Sequence, residues 1–166
     1  MKDPKVKRVG WVKILKPDRR GPWKSKSGGK LDLLFNFDLA MQNRFFSYGP
    51  QELKKVSRSI RGFRAYVVYD LRRGKIGGQE FHRLREEIVF VLRGRVEWKF
   101  EDLYGGRKTV MLKEGEGVWI PPYILHTYRG MRNQTLLFVL ANTRFLQKTT
   151  DTSGKKTFRE LRNSFR

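Results

Sequence analysis

Apolar residues stand in short runs, or alternate with polar residues, along most of the chain. Glycine, proline and asparagine bound these segments, which is typical of strands that end in turns. The segments predicted as strands cover residues 31–37, 63–69, 88–92, 96–100, 109–112, 117–120 and 136–141. Strands of this length and spacing predict an antiparallel sandwich or barrel, in which a meander of strands feeds a jelly roll.

Turn residues that tolerate positive φ separate successive strands, at residues 93–94 (RG), 104–106 (YGG) and 113–117 (KEGEG). Residues 24–30 (KSKSGGK) are predicted as an exposed loop between two hairpin strands. A helical pattern is limited to residues 50–59 and an amphipathic segment at 157–165. The chain is therefore predicted to be all-β, with short helical segments.

The composition fits one compact domain over residues 1–166. The chain is 39% hydrophobic and 13% aromatic, which is enough for a sizeable core. It has no cysteine, which excludes disulfides and zinc–thiolate sites. We find no leader pattern and no run approaching about 18 apolar residues, so we expect a soluble, cytoplasmic protein that does not insert in a membrane.

A large positive charge favours anionic ligands. Lysine and arginine number 37 against 16 acidic residues, which gives a net charge of +21. Such a field raises the association rate of any negatively charged partner. The basic residues are spread along the chain, with denser stretches at 2–30 and 155–166, and no nucleic-acid-binding signature accompanies them. We therefore favour a solvated basic surface over a dedicated nucleic-acid interface.

The only two histidines fall within two spaced patterns of glycine, proline and acidic residues. The residues of the first pattern are Gly74, Glu80, His82, Glu87 and Gly94, and those of the second are Gly115, Pro121 and His126. On a strand, Glu80 and His82 leave the same face because they are two residues apart. Glu87 follows on the next segment and His126 arrives from a distant one, so the four side chains can converge inside a barrel.

Two imidazoles and two carboxylates form a ligand set that suits a divalent metal such as Zn, Mn, Fe or Ni. The predicted ligands are Glu80, His82, Glu87 and His126. If the strand register differs by one residue, Glu86 rather than Glu87 points inward.

These two blocks resemble the paired motifs of the cupin superfamily, in which an H-x-H pair and a carboxylate from one hairpin meet a single histidine from another. Glu80 stands where that pattern has its first histidine. The resemblance implies a cupin jelly-roll barrel, or double-stranded β-helix, with its core at about residues 60–146. N-terminal strands and a loop (1–59) and a C-terminal extension (147–166) complete the domain.

Several local segments resemble one branch of the cupins, the nucleotide-sugar 3,4-ketoisomerases and dTDP-4-dehydrorhamnose 3,5-epimerases. These segments are 17–21 (PDRRG), 61–66 (RGFRAY), 78–83 (GQEFHR), 118–126 (VWIPPYILH) and 140–145 (LANTRF). The resemblance implies an isomerase or epimerase whose substrate is an anionic small molecule, a nucleotide sugar carrying a 4-keto group. It also implies a homodimer, as related barrels pair through exposed sheet edges.

A ketone at C4 acidifies the protons on C3 and C5, and histidine is suited to moving them near neutral pH. The expected catalytic residues are His82, Glu80, His126 and Tyr128. The expected substrate-binding residues are Arg64, Tyr66, Lys75, Arg83 and Arg19, with Arg20 as the alternative to Arg19. Guanidinium and ammonium groups pair well with pyrophosphate oxygens, which is the reason for choosing the basic residues.

Two alternatives from other functional classes remain open. One is a metal-dependent cupin, such as a sugar-phosphate isomerase or a dioxygenase, with metal at the four predicted ligands. The other is a noncatalytic cupin that binds a sugar or a polyanion, which the replacement of the first histidine by Glu80 and the high charge both favour.

Overall fold

A computed structural model describes residues 6–17, 22–31, 33–46, 61–145 and 151–165. The strands are β1 (Lys13–Leu15), β2 (Trp23–Lys24), β3 (Lys30–Leu31), β4 (Arg61–Leu71), β5 (Ile76–Phe81), β6 (Glu87–Arg93), β7 (Arg95–Glu101), β8 (Arg107–Lys113), β9 (Gly117–Ile120), β10 (Leu125–Gly130), β11 (Thr135–Thr143) and β12 (Ser153–Gly154). The helices are α1 (Leu39–Phe46) and α2 (Lys155–Phe165), and a 3-10 turn spans Val9–Trp11.

Two five-stranded antiparallel sheets face each other. Their strand orders are β1-β9-β6-β11-β4 and β12-β5-β10-β7-β8. Because most neighbours in these sheets are distant in sequence, the chain crosses repeatedly between the sheets, as in a jelly roll. This arrangement confirms the predicted all-β fold, and β2 and β3 form the predicted hairpin around the loop at 25–29.

The main core fills the space between the two sheets. Val89 and Val91 of β6 point inward from the first sheet, and Trp98 and Phe100 of β7 point inward from the second. Each of these side chains is at most 3% exposed. The strict alternation in β7 places charged residues outside and apolar residues inside, which sets the register of this strand.

The outer face of the first sheet is covered by α1 and by the segment before it. Phe45 of α1 packs edge-on against Trp119 of β9, with 5.7 Å between ring centroids. Leu34 and Phe35 pack on the same layer. The prediction of a strand at 31–37 is therefore wrong for most of its length, because these apolar residues cover a sheet from an irregular segment instead of pairing within one.

The two helices differ in how far the sequence predicts them. Helix α1 was not among the predicted elements, although Asp38 accepts a hydrogen bond from the backbone N–H of Met41 at 2.7 Å and caps its first turn.

The amphipathic segment at 157–165 does form a helix, α2, whose Phe158 is fully buried against Phe81, with 5.2 Å between ring centroids. The helix predicted at 50–59 lies outside the described residues. Neither described helix is long and apolar enough to cross a lipid bilayer.

A backbone distortion in β5 sets the register of this strand against β10. Gly78 has a φ of 74° and Gln79 one of 64°, and the register shifts between His126 and Thr127. The ring of Tyr128 lies over Gly77, where a Cβ atom would come within 2.2 Å of it. Glycine is therefore required at positions 77 and 78, and the distortion brings Glu80 directly opposite His126.

The distortion at Gly78 can be tested with a pair of alanine variants. Gly78→Ala and Gly74→Ala both place a side chain at a positive φ (74° and 80°), which costs about 1–2 kcal/mol. Only at Gly78 does the new Cβ meet backbone, 2.8 Å from the carbonyl oxygen of His126. We expect the free energy of unfolding in urea to fall by at least about 1 kcal/mol more for Gly78→Ala than for Gly74→Ala. Equal losses would show that the β5 distortion is not held against β10.

Candidate active site

Five ionisable or imidazole side chains meet at one end of the barrel interior, and we call them the histidine cluster: Glu80, His82, Arg85, Glu87 and His126. The two imidazole rings face each other with 5.1 Å between their centroids. His82, Arg85, Glu87 and His126 are each at most 4% exposed, whereas the side chain of Glu80 is 33% exposed. Solvent therefore reaches the cluster through Glu80.

Glu87 lies between the two histidines. Its Oε2 atom is 3.7 Å from Nε2 of His82 and 3.6 Å from Nε2 of His126. Oε1 of Glu80 is farther out, at 3.9 Å from Nε2 of His82 and 4.0 Å from Nε2 of His126. The predicted convergence of these four residues is thus what the structure shows.

Arg85 occupies the middle of the cluster and was not among the predicted residues. Its Nη2 atom donates a hydrogen bond to Nε2 of His82 at 2.6 Å, and its Nε atom is 3.1 Å from Oε1 of Glu87. Nη2 is also 3.9 Å from Oε1 of Glu80. One buried guanidinium therefore touches one histidine and stands between two carboxylates.

Asp151 holds the loop that carries His82 and Arg85. Its carboxylate accepts hydrogen bonds from the backbone N–H groups of Arg83 (3.2 Å), Leu84 (2.7 Å) and Arg85 (2.7 Å). Its own carbonyl oxygen is 3.0 Å from Nδ1 of His82. Because a carbonyl can only accept, Nδ1 carries the proton, and Nε2 of His82 holds the lone pair to which Arg85 donates.

His126 is also held in one tautomer. Its Nδ1 atom lies 3.0 Å from the carbonyl oxygen of Ile124, so that nitrogen is the donor and Nε2 faces the cluster with its lone pair. Burial lowers the pKa of His126 from 6.5 to about 4. The ring is therefore neutral at physiological pH.

Tyr66 and Glu87 form a second hydrogen-bonded pair at the cluster. The Tyr66 hydroxyl donates to Oε1 of Glu87 at 2.9 Å. Burial and the charge of Glu87 raise the pKa of Tyr66, so it keeps its proton. Burial alone would raise the pKa of Glu87, but neighbouring groups that include the Arg85 guanidinium lower it below its usual range. Glu87 is therefore a permanent carboxylate.

Arg64 and Tyr128 lie beside the cluster. Arg64 is two residues from Tyr66 on β4, and burial followed by the nearby charge of Arg85 lowers its pKa. Tyr128 is two residues from His126 on β10 and packs against Trp98 with 5.1 Å between ring centroids. Burial, then Glu80 and Glu87, raise the pKa of Tyr128, so it too remains a hydrogen-bond donor.

The other predicted site residues are placed elsewhere. Lys75 is exposed. It lies in the turn before β5, and Glu80 is near the other end of that strand. The side chain of Arg83 is exposed in the loop after His82. Glu86 points to the outer face, where its carboxylate accepts a hydrogen bond from Nε1 of Trp119 at 2.6 Å, so Glu87 is the inward carboxylate. Arg19 and Arg20 lie outside the described residues.

The cluster does not fit a metal ion in this arrangement. Glu80, His82 and His126 each offer a ligand atom, and these atoms lie within 4.8 Å of one another. However, the His82 lone pair, which a metal would need, already accepts a hydrogen bond from Arg85 at 2.6 Å. A guanidinium has no lone pair to offer and stays cationic, so it repels a second cation at this position.

A separate basic groove of about 410 Å³ lies on the outer face of the second sheet beside α2. The basic side chains that line it are Lys99, Arg107, Lys108, Lys155 and Arg159. Thr127 also lines the groove, and its side chain leaves β10 on the face opposite to His126. The sheet therefore separates this groove from the histidine cluster.

Arg85 and Asp151 are the site residues that the sequence did not predict. Arg85 is one of several charged residues in the segment 82–87 (HRLREE), where nothing in the pattern tells which side chain turns inward. Asp151 lies after the last segment that resembles a cupin motif, 140–145, and its role depends on how the C-terminal segment returns to the barrel. The DTSGKK turn before the amphipathic helix is a weak signal for Asp151. Such a turn predicts a fixed connection to the helix, but it does not show which groups Asp151 binds.

The match to a known family covers most of the chain. The family model described as FdtA: WxcM-like, C-terminal matches residues 50–161. No curated protein sequence matches significantly.

Three solved structures resemble the chain over nearly its whole length. A 3,4-ketoisomerase from Helicobacter canadensis has a TM-score of 0.64 at 19% identity, covering 92% of this chain and 98% of that one. QdtA, a sugar 3,4-ketoisomerase from Thermoanaerobacterium thermosaccharolyticum in complex with TDP, has a TM-score of 0.63 at 16% identity, covering 95% and 99%. The dTDP-4-dehydrorhamnose 3,5-epimerase from Bacillus anthracis, with TDP and PPi bound, has a TM-score of 0.58 at 15% identity, covering 87% and 78%. These likenesses confirm the predicted cupin jelly roll.

The lowered pKa of His126 predicts a loss of stability in mild acid. Its pKa is about 4 in the folded protein against 6.5 ordinarily, so the unfolded chain binds more protons between these values. The free energy of unfolding should therefore fall as pH decreases from 6.5 towards 4, with a contribution from His126 on the order of 3 kcal/mol. The pKa of Glu87 is lowered from its ordinary value of 4.5, so this residue adds a further loss of stability only when the pH falls below that value.

Urea unfolding at a series of pH values measures this effect. The variant His126→Gln cannot titrate, so its free energy of unfolding should depend less on pH between 6.5 and 4 than that of the wild type. Identical slopes in the two proteins would contradict the assignment of this effect to His126.

Proposed function

The chain belongs to the family described as WxcM-like, C-terminal, and we propose on this premise that it is a sugar-nucleotide isomerase or epimerase. Its substrate is a 4-keto sugar linked to a nucleoside diphosphate, and the reaction is acid–base proton transfer in the barrel. The observation that carries the proposal is the pair of buried imidazoles, 5.1 Å apart, each with its Nε2 lone pair turned towards the interior of the cluster.

The solved structures of similar fold support the choice of substrate. QdtA was solved with TDP, and the epimerase of similar fold with TDP and PPi. A net charge of +21 favours the same kind of anionic ligand. Arg64 is half-buried beside the cluster and is the best placed of the proposed pyrophosphate-binding residues, with Arg83 and Arg19 as further ones. Lys75 lies away from the cluster, so we do not propose that it binds the substrate.

His82 is the proposed base. Its Nε2 lone pair takes the proton from the carbon next to the C4 ketone, and the C–H electron pair forms a carbon–carbon double bond while the carbonyl electrons move to oxygen. In an isomerisation, the C4 oxygen is then protonated and the C3 hydroxyl loses its proton, so that the carbonyl forms at C3 while the electrons of the double bond take up a proton at C4. In an epimerisation, the proton returns to the opposite face of the same carbon.

The remaining residues supply and shuttle protons. His126 is neutral and Tyr128 keeps its proton, so the first can accept and the second can donate within the same pocket. Glu80 is 33% exposed and connects the cluster with solvent, which suits proton exchange. Tyr66 and Glu87 form a fixed hydrogen-bonded pair that orients the charged groups around the base.

The substitution His82→Asn tests the proposed base. Asparagine can still donate to the carbonyl of Asp151, so the fold should be preserved, but it cannot take a proton. We expect at least a ~100-fold loss in the rate at which deuterium from D2O enters dTDP-4-keto-6-deoxyglucose and in the rate of product formation, both measured by NMR. Lys113→Asn, an exposed substitution on β8, should leave both rates unchanged.

Two results would count against this proposal in different ways. A wild-type protein that neither exchanges deuterium nor forms an isomer would overturn the enzymatic function. A folded His82→Asn variant with unchanged rates would leave the function in place but remove His82 as the base.

We also propose that the protein is a homodimer that pairs through β4. This strand lies at the edge of the first sheet, and its outward side chains Phe63, Val67 and Tyr69 are 54%, 48% and 70% exposed. An exposed apolar edge strand favours pairing with another copy.

Sedimentation velocity at micromolar concentration should show a dimer for the wild type. Val67→Lys should shift it to monomer, because burying a lysine there is costly. Met111→Lys on β8, an edge strand of the second sheet, should not. A wild-type monomer would refute the dimer, and a Val67→Lys dimer would refute this interface.

A further inference from the structure

We propose that Arg85 is a catalytic residue, the fixed cation that donates a hydrogen bond to the C4 oxygen of the substrate in the place where a metal-dependent cupin would hold its ion. This inference rests on the proposed function and deepens it. It follows from the position of the guanidinium, which touches the proposed base and stands between the two carboxylates of the histidine cluster.

The guanidinium is held in place from several sides. Its Nε atom is 3.1 Å from Oε1 of Glu87, and its Nη2 atom is 2.6 Å from Nε2 of His82 and 3.3 Å from Oγ1 of Thr152. The backbone N–H of Arg85 is bound by the Asp151 carboxylate at 2.7 Å. These contacts keep the guanidinium within the cluster, where it can stabilise negative charge that develops on a bound substrate.

The charges around Arg85 balance without another ion. Glu80 and Glu87 supply two negative charges, and Arg85 with the half-buried Arg64 supplies two positive ones. A divalent cation would leave an excess of positive charge in a buried site. The same carboxylates that would attract a metal are therefore already neutralised by arginine.

The position next to His82 suits proton abstraction beside a ketone. The carbonyl oxygen and the acidic carbon are separated by two bonds, so a base and an oxygen-directed donor must lie side by side to reach both. His82 Nε2 and Arg85 Nη2 are such neighbours, at 2.6 Å.

In the free protein, Arg85 covers the lone pair of the base. When the 4-keto sugar enters, the Nη2–H group turns from His82 to the C4 oxygen, which frees Nε2 to take the C3 proton. The C3–H electron pair forms the C3–C4 double bond, and the carbonyl electrons move to the oxygen that Arg85 holds. Arg85 keeps its own proton throughout, and no oxidant or reductant is needed.

Arginine variants test this role through the balance of kcat and KM. For Arg85→Met, we expect kcat with dTDP-4-keto-6-deoxyglucose to fall by ~100-fold to ~1000-fold, as for removal of a single oxyanion donor, with little change in KM. Arg85→Lys keeps the charge without the planar fork and should retain more activity, and it serves if Arg85→Met does not fold. Arg95→Met is the matched control, because Arg95 is exposed on β7, and it should behave as the wild type.

Metal titration gives a second readout that does not depend on activity. We expect calorimetry to show no stoichiometric binding of Mn²⁺ or Zn²⁺ to the wild type or to the control Arg95→Met. Arg85→Met uncovers the His82 lone pair beside Glu80, Glu87 and His126, so it should gain one metal site per chain. Arg85→Lys, which retains a cation, should not gain this site.

The outcomes separate this inference from the proposed function. If the wild type is active and Arg85→Met has an unchanged kcat, or only a raised KM, the catalytic role of Arg85 is refuted and the function stands. If the wild type is inactive, the proposed function fails, and the titration still decides whether Arg85 takes the place of a metal. Stoichiometric metal binding by the wild type at this site would refute that part.

Discussion

The contact of the buried Arg85 guanidinium with Glu87 and His82 is the constraint on which the site depends. Glu87 is 3% exposed and would be costly to bury as an ion without this partner. Paired in this way, Glu87 stays charged, Tyr66 donates to it, and His82 keeps its lone pair towards the interior. One arginine thus gives the histidine cluster a permanent cation next to the proposed base.

That arginine is placed by a part of the chain far from the barrel motifs. Asp151 ties down the backbone of residues 83–85 and fixes the tautomer of His82, and the strand that follows it, β12, pairs with β5. Helix α2 then packs Phe158 into the outer layer of the second sheet. The C-terminal segment is therefore part of the site's support, and this links the packing of a peripheral helix to the geometry of the proposed base.

Much of the fold could be predicted from the sequence because burial on one face of a strand imposes alternation. The segments at 88–92, 96–100 and 109–112 lie in strands for this reason. The same reasoning failed at 31–37, since an apolar segment that covers a sheet from outside has the composition of a strand without its pairing. For the site, the spacing of Glu80, His82, Glu87 and His126 predicted their convergence, which the structure shows.

By itself, the sequence determined the all-β architecture and the meeting of two imidazoles with two carboxylates, because strand periodicity and motif spacing decide which side chains share a face. Only the tertiary structure decided which charged residue of the 82–87 loop turns inward. That choice depends on hydrogen bonds donated to the carboxylate of Asp151, some 66 residues away from Arg85 along the chain, and no local pattern encodes such a contact. The result is a site with an arginine, rather than open ligand positions, between its acidic and imidazole groups.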